Sequence, residues 1–214
     1  MLPNQSEILF IDGPVGPLQT IYLPPKGTGV GVAVINHPNP LHGGTFTNKV
    51  IHTAAKALTE LGFHCYLPNL RGVGESAGTH DYGRGETEDC ICVFEYARKR
   101  HPEAALSVLA GFSFGGYVAL FAAQHCQPSA LLLLGPAVGM YKIPEPAAFD
   151  VSRTLLIHGE TDDVVPLQNA FDWAAPQDLP VCVLPQSGHF FHGKLMVLRD
   201  YIRRHMPVIL PPQP

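Results

Sequence analysis

The 214-residue sequence lacks the features that would tie it to a membrane or to a nucleic acid. No apolar run approaches the ~20 residues that a membrane-spanning helix needs. Charged residues make up only 15% of the chain, and its 14 Lys and Arg against 18 Asp and Glu leave a net charge of −4. The basic residues form no cluster, whereas a nucleic-acid partner requires a basic surface. We therefore expect neither a membrane nor a nucleic acid as a partner.

Cysteine and histidine occur without the spacings that indicate a disulfide framework or a metal site. The five cysteines form no C-x-x-C pair, and the eleven histidines form no H-x-x-x-H or H-E-x-x-H pair. Residues 1–7 show no basic segment followed by an apolar one, so they do not resemble a secretory signal. We predict reduced cysteines, no metal or other cofactor, and a cytoplasmic location. The cysteines are Cys65, Cys90, Cys92, Cys126 and Cys182.

The size and the apolar content predict one α/β domain. A 46% hydrophobic chain of this length can bury a sizeable core. Predicted strands alternate with predicted helices, which favours a mostly parallel sheet with helices on both faces. We assign residues 1–206 to this domain and 207–214 to a Pro-rich tail that frays. The strands are predicted at 7–11, 18–23, 30–35, 63–67, 105–110, 130–134, 154–157 and 181–184, and helices at 48–61, 87–100, 117–124, 167–174 and 191–204.

The most informative motif is G-x-S-x-G at residues 111–115. It follows a predicted strand and precedes a predicted helix, which is the context of a nucleophile elbow. Gly111 and Gly115 leave space for the chain to reverse sharply, and Ser113 is the candidate nucleophile. The free N–H groups at the start of the helix point to the place where an oxyanion would form.

A serine hydroxyl needs a base to take its proton and an acid to orient that base. Two later strands are each followed by a polar segment that offers such groups. Asp162 and Asp163 follow the strand at 154–157, and His189 and His192 follow the strand at 181–184. The order nucleophile, acid, histidine is that of the α/β hydrolases.

The chain resembles the α/β-hydrolase superfamily over residues 30 to about 204. The pattern H-G-x-x-D-x-x-V-P, which begins at His158, implies that Asp162 is the acid. The pattern G-H-F-F implies that His189 is the base. Asp163 is the alternative acid, although it is also placed to cap the helix near residue 166, and His192 is the alternative base, although it falls about one turn into a predicted helix. For His158 we predict a packed, hydrogen-bonded role.

A closer resemblance is to small bacterial serine hydrolases related to dienelactone hydrolase. True dienelactone hydrolases carry cysteine at the elbow, whereas this chain carries serine. The resemblance therefore implies hydrolysis of esters or thioesters. Its motifs lie at residues 37–45, 48–50, 69–76 and 189–195.

The oxyanion of the acyl-transfer reaction needs two N–H donors. Phe114, the residue after the nucleophile, is expected to supply one. The other is expected from the loop after the strand at 30–35, where Pro38 and Pro40 cannot donate. Asn39 and Leu41 remain as alternatives for the second donor.

Other polar residues near these motifs have structural explanations. We expect Arg71 to tie strand ends together. Asp81, Glu86 and Asp89 resemble a metal-binding group, but carboxylates near a helix N-terminus are also favoured by the helix dipole, and we prefer that interpretation.

The segment at 135–153 is too short for a helical lid domain. It has nineteen residues and three prolines, so it can only form a covering loop, and an open site of this kind suits short or soluble esters. Met140, Tyr141 and Ile143 are candidates to line an acyl pocket.

We therefore predict a serine hydrolase that acts on a small-molecule acyl substrate, as a monomer or a homodimer. Three alternatives remain: a peptidase or a cofactor-free haloperoxidase with the same triad, or a non-catalytic binding protein with an α/β-hydrolase fold.

Overall fold

An eight-stranded sheet forms the centre of the part of the chain that the computed structural model describes, residues 6–141 and 149–212. Its strand order is β1-β2-β4-β3-β5-β6-β7-β8. β1 and β2 form an antiparallel hairpin at one edge, and all pairs from β4 to β8 are parallel. The strands are β1 Glu7–Gly13, β2 Gly16–Leu23, β3 Gly31–Asn36, β4 Phe63–Pro68, β5 Leu106–Phe112, β6 Ala130–Leu134, β7 Thr154–Gly159 and β8 Val181–Leu184.

Helices cover both faces of the sheet, as the alternating pattern predicts. α1 and α5 pack on one face, and α2, α3 and α4 pack on the other. The fold class is confirmed: it is α/β, with a mostly parallel sheet. No separate lid domain lies between β6 and β7 among the residues described there. The helices are α1 Lys49–Glu60, α2 Arg84–Arg100, α3 Phe114–Cys126, α4 Leu167–Ala174 and α5 Leu195–Ile209.

The central strands are mostly apolar because both of their faces are covered. Every residue of β3, β5 and β6 is buried. The candidate reactive residues Ser113, Asp162 and His189 lie beyond the strand ends. In a parallel sheet the carboxyl ends of the strands lie on the same edge, and that edge is where ligands bind.

Three helices differ from the sequence prediction, and the first of these differences is that α3 begins three residues early, at Phe114. α2 begins three residues early, at Arg84, because the Glu86 carboxylate accepts hydrogen bonds from the backbone N–H groups of Gly83 (2.8 Å) and Asp81 (2.9 Å). α5 begins four residues late, at Leu195. The placement of His192 inside a helix was therefore wrong.

The C-terminal tail is ordered further than the sequence predicts. α5 continues through Pro207 to Ile209, so the expectation of fraying from residue 207 is wrong for its first three residues. Arg153 donates a hydrogen bond to the Ile209 carbonyl (2.8 Å), and Ile209 and Leu210 pack against the core. The last two residues of the tail, 213–214, lie outside the described residues.

A buried ion pair anchors the loop after β4. The Arg71 guanidinium donates to Asp89 at 2.8 and 3.1 Å, and the Arg71 backbone N–H donates to the same carboxylate at 2.8 Å. Both side chains are buried. Gly85 makes room for this pair, since a Cβ there would overlap the guanidinium. Arg71 thus has a structural role, but it ties the loop after β4 to α2 and not one strand end to another, and Asp89 pairs with Arg71 instead of serving the helix terminus.

Loss of one member of this pair should destabilise the fold strongly. Arg71→Ala leaves the buried Asp89 carboxylate without its cation, and we expect the free energy of unfolding to fall by about 3–5 kcal/mol. Urea denaturation measures this change. Arg203→Ala removes an exposed arginine from its pair with Glu60 and should cost less than about 1 kcal/mol. Equal losses in the two variants would contradict the assigned role of the buried pair.

Candidate active site

Ser113 occupies a strained turn between β5 and α3. Its φ of 55° and ψ of −119° lie outside the regions that ordinary residues adopt. Hydrogen bonds hold the turn: the Ser113 N–H donates to the Leu134 carbonyl (2.9 Å), and the Ser113 carbonyl accepts from Gly116 (2.9 Å) and Ala137 (3.2 Å). The surrounding structure therefore maintains a backbone conformation that is unfavourable by itself, which is typical of functional positions.

The two glycines of the motif are required by close backbone approach. A Cβ on Gly111 would overlap the carbonyl of Gly115, and a Cβ on Gly115 would overlap the carbonyl of Asn36. Gly115 thus allows the end of β3 to pack directly on the first turn of α3. The loop after β3 is thereby brought beside Ser113.

Asp162 and His189 form a hydrogen-bonded pair on the neighbouring loops. His189 Nδ1 lies 2.7 Å from Asp162 Oδ2, and both residues are buried. The other carboxylate oxygen, Oδ1, accepts from the backbone N–H groups of Val164 (3.0 Å) and Val165 (2.7 Å). The carboxylate is therefore fixed by its own loop while it binds the imidazole.

The turn after β6 connects this pair to the serine. Leu134 bonds to Ser113, and at the next residue, Gly135, a Cβ position would lie 3.5 Å from Asp162 Oδ2 and 3.6 Å from His189 Nδ1. The His189 ring also packs on Phe112, with ring centroids 4.7 Å apart. In the described part of the chain the Ser113 hydroxyl makes no hydrogen bond. The hydrogen bond between a catalytic serine and its histidine is often long in unliganded enzymes.

A second histidine contacts the same carboxylate. His158 Nε2 is 2.8 Å from the Val165 carbonyl and 3.3 Å from Asp162 Oδ2, and the side chain is completely buried. Burial by itself would raise the pKa of Asp162, but the hydrogen bonds from His158, His189 and Val165 outweigh it and hold the pKa well below its ordinary value. The carboxylate is therefore ionised. The spacing of four residues in the H-G-x-x-D pattern was the sequence signal for this contact.

The alternative acid and base lie apart from this arrangement. Asp163 is exposed, and within the described residues its side chain forms no ion pair or hydrogen bond. His192 is exposed and stacks on Phe190. The structure thus brings Asp162 and His189 together and leaves Asp163 and His192 outside the pair.

The loop after β3 presents one of its two candidate N–H donors. The Leu41 N–H already donates to Asn39 Oδ1 (2.9 Å), as part of a short 3₁₀ helix at Pro40–His42. Among the described residues, the Asn39 backbone N–H donates no hydrogen bond. Phe114 is the first residue of α3, so its N–H has no partner within the helix.

His37 holds this loop in position. Its ring is fully buried, and Nε2 accepts a hydrogen bond from the Leu70 N–H (3.1 Å) while Nδ1 lies 2.7 Å from the Pro38 carbonyl. One ring nitrogen must accept and the other must donate, which only neutral imidazole can do. Burial lowers the pKa of His37 from 6.5 to about 4, which agrees with a neutral ring.

The residues after β6 flank the site. The Tyr141 hydroxyl accepts a hydrogen bond from the Asn39 side chain (2.9 Å), and its ring packs on Phe114 and Tyr117. Met140 is exposed. Ile143, the third candidate for an acyl pocket, lies outside the described residues.

The chain is similar to known hydrolases. The family model described as serine aminopeptidase, S33, matches residues 40–153. The chain is 35% identical to an α/β serine hydrolase without lid from Xanthomonas campestris, with a TM-score of 0.87, and the match covers 100% of this chain and 99% of that one. The chain belongs to the α/β-hydrolase superfamily. The resemblance inferred from the motifs is thereby confirmed, and the narrower link to dienelactone hydrolase stays a prediction.

Two further relatives support this membership. An α/β serine hydrolase homologue from Coxiella burnetii is 35% identical, with a TM-score of 0.81 and coverage of 96% of this chain and 99% of that one. A monoacylglycerol lipase from Mycolicibacterium smegmatis is 28% identical over 170 residues, which are 77% of this chain and 58% of the lipase. The chain spans only 47% to 58% of the lengths of the curated relatives that it matches.

One group of metal-ligating side chains occurs elsewhere on this α/β hydrolase. Ligand atoms of His64, His101 and Glu103 lie within 4.8 Å of one another. His64 stands at the amino end of β4, opposite the edge that carries Ser113. The two imidazole rings stack face to face, with centroids 3.6 Å apart at 20°, so their lone pairs do not converge on one ion.

In the described part of the chain, no helix has the length and apolar character needed to cross a membrane.

The buried His37 should make the stability of this α/β hydrolase depend on pH. An unfolded chain protonates histidine near its ordinary pKa of about 6.5, whereas folded His37 is protonated only near 4. Between these values the unfolded state binds the additional proton, so the free energy of unfolding falls as the pH is lowered. This contribution is complete above about pH 6.5 and is lost by about pH 4, with a size of about 2–3 kcal/mol.

Urea denaturation at several pH values measures this effect. His37→Gln removes the titrating ring, and its loss of stability from pH 7 to pH 4 should be smaller than that of the parent protein by this amount. His42→Gln, at an exposed position of the same loop, provides the matched comparison. The same acid-dependent loss in His37→Gln and in the parent would contradict a buried neutral His37.

Proposed function

We propose that the protein is a serine hydrolase that cleaves small carboxylic esters or thioesters through Ser113, His189 and Asp162. The observation that carries this proposal is the 2.7 Å bond between Asp162 and His189, which lies beside a serine held in a strained elbow. The superfamily membership of the chain supports it independently, since its relatives are described as serine hydrolases.

The geometry supports a reaction in two acyl-transfer steps. The Asp162 carboxylate accepts a hydrogen bond from His189 Nδ1–H, which leaves Nε2 unprotonated and able to act as a base. Nε2 takes the proton as Ser113 Oγ attacks the substrate carbonyl carbon. The tetrahedral intermediate collapses, His189 gives this proton to the departing alcohol or thiol, and an acyl-serine remains. Water then attacks the acyl-serine with the same help, releasing the acid and restoring the serine.

For the oxyanion we infer that the N–H groups of Phe114 and Asn39 are the two donors. The Phe114 N–H belongs to the first turn of α3, where the helix dipole also favours negative charge. Asn39 is preferred over Leu41 because the Leu41 N–H is already bonded to Asn39 Oδ1. In addition, a Cβ on Gly115 would overlap the carbonyl of Asn36, so the end of β3 and the loop that follows it lie close to the elbow.

The substrate is inferred to be a small molecule because the segment between β6 and β7 is short. The segment between β6 and β7 contributes the covering residues Met140 and Tyr141 and no helical domain in its described part. A long acyl chain gains ~0.8 kcal/mol per buried methylene only where a wall covers it. The names of two matches indicate the competing bonds: an ester for the monoacylglycerol lipase and an amide for the serine aminopeptidase family.

A peptidase is the second candidate function, and the family description favours it. Parallel assays of short-chain p-nitrophenyl esters, acyl-CoA thioesters and aminoacyl p-nitroanilides discriminate the two. We expect a higher kcat/KM for esters or thioesters than for the anilides. The opposite order would reject the esterase proposal in favour of the peptidase.

Ser113→Ala should abolish acyl transfer and leave the fold intact. Ser113 is buried, but its hydroxyl is small and makes no hydrogen bond within the described residues, so its removal leaves no unpaired partner and only a small void. Labelling with a fluorophosphonate and ester hydrolysis both measure the result, and Ser187→Ala provides a control serine on the loop after β8. Hydrolysis by Ser113→Ala at more than a few per cent of the parent rate would falsify the assignment, and absence of labelling in the parent would favour a non-catalytic binding protein.

Asp162→Asn and Asp163→Asn should separate the two candidate acids. Loss of the carboxylate at 162 removes the group that orients His189, and kcat should fall by roughly 10⁴-fold, as in the serine-protease template. Asp163 is exposed and outside the pair, so its variant should retain most of the activity. Steady-state kinetics on one ester measures both, and a larger loss at residue 163 would show that the register of the acid is wrong.

A further inference from the structure

A groove of about 590 Å³ runs between α2 and α3 and is also lined by the loop after β4. On α3 it is lined by residues that share one helical face, Tyr117, Phe121 and His125. Thr87 and Ile91 line it from α2, and Tyr82 lines it from the loop. Its volume lies within the ~300–1,000 Å³ range of small-molecule sites.

The groove begins one helical turn from the candidate nucleophile. Tyr117 follows Ser113 by one helical turn, and its N–H donates to the Ser113 carbonyl (3.3 Å). The Tyr117 ring stacks on Phe114, with centroids 6.2 Å apart. Tyr82 reaches Phe114 through His80, whose ring contacts both residues at 4.9 and 5.5 Å. The aromatic walls of the groove are therefore continuous with the elbow.

Two backbone features keep this groove open and aromatic. Gly83 has no side chain because a Cβ would overlap the Tyr117 ring. Tyr82 adopts a left-handed backbone, with φ of 52°, and its ring is 72% exposed. A bulky residue in that conformation is rare, and an exposed ring gains little from burial in the free protein. The unfavourable backbone of Tyr82 and the exposure of its ring are both explained if the ring contacts a bound molecule.

The polar residues named below, which line the groove, are paired with other groups or exposed to water, so they offer a ligand no buried charge. Glu88 pairs with Arg71 (3.2 Å), and Asp81 Oδ2 accepts the Gly85 N–H (3.1 Å). Arg84 and His125 are exposed to water at the rim, where the charge of Arg84 is screened. The remaining walls are the Tyr82, Tyr117 and Phe121 rings with Ile91. A flat neutral ring matches these walls, since aromatic pairs gain more than their buried area alone provides.

We propose that this groove binds the aromatic ring of an arylalkanoyl substrate, so that the acyl group extends from Ser113 along α3. The proposal rests on the proposed function. Tyr117 and Phe121 lie about 6 and 12 Å along the helix from Ser113. A ring beside them requires a short methylene linker to the carbonyl carbon. The 3-phenylpropanoyl group has this linker, whereas the benzoyl group lacks it.

The kinetic test compares methyl 3-phenylpropanoate with methyl 3-cyclohexylpropanoate, which has similar size without aromaticity, and with methyl benzoate. We expect kcat/KM for the phenylpropanoate to exceed that for the cyclohexyl ester by about threefold to tenfold, the range of one aromatic contact. Phe121→Leu should remove most of this preference, and Ile91→Trp, which fills the groove, should lower kcat/KM for both bulky esters relative to methyl acetate. Phe171→Leu, an exposed phenylalanine on α4, is the matched control.

A binding measurement separates this proposal from the proposed function. Calorimetry or ligand-observed NMR with 3-phenylpropanoate and the Ser113→Ala protein should show binding that Phe121→Leu weakens. If the parent hydrolyses methyl acetate but neither groove variant alters the phenyl-to-cyclohexyl ratio, the groove proposal is overturned and the hydrolase stands. If no ester is hydrolysed, binding that depends on Phe121 still supports the groove, and absence of that binding overturns it.

Discussion

The backbone strain at Ser113 is the constraint on which the rest of the site depends. A non-glycine residue with positive φ costs of order 1–3 kcal/mol and persists only where its surroundings hold it. Here the surroundings are the Leu134 carbonyl, the first turn of α3 and the end of β3. Because each belongs to a different element, the conformation of the elbow depends on the pairing of the central strands. The position of the nucleophile is thus a property of the whole sheet.

The buried polar side chains at the carboxyl edge of the sheet depend on one another in a similar way. Asp162, His158 and His189 are all buried, and burial of such groups is unfavourable unless they bond to one another. The Asp162 carboxylate contacts two imidazole rings and accepts hydrogen bonds from two backbone N–H groups. These contacts compensate its charge within the fold. The same bonds that stabilise the folded state also align His189. At this edge, stability and orientation of the base have one origin.

Some parts of the site could be predicted because their signals are local. The elbow motif, the strand that precedes it and the helix that follows all lie within about twenty residues, and steric demands there restrict the residue types directly. Asn48 is a comparable local case, since its side chain caps α1 at the predicted start. The start of α5 was missed because Phe191 and Gly193 adopt positive φ in a turn, which periodicity of apolar residues does not reveal. The Arg71–Asp89 pair was missed because it joins residues 18 apart through the fold.

By itself, the sequence determined the fold class and singled out the candidate reactive groups, because apolar periodicity and the spacing of glycine, serine, aspartate and histidine are properties of the chain. The tertiary structure separated the alternatives that the sequence had left open. Asp162 and Asp163 are adjacent carboxylates, and the turn after β7 directs one of them to His189 while the other faces water. Asn39 and Leu41 both have an N–H, and the short 3₁₀ helix engages only that of Leu41. Such choices depend on which neighbours the packed sheet brings within hydrogen-bonding distance.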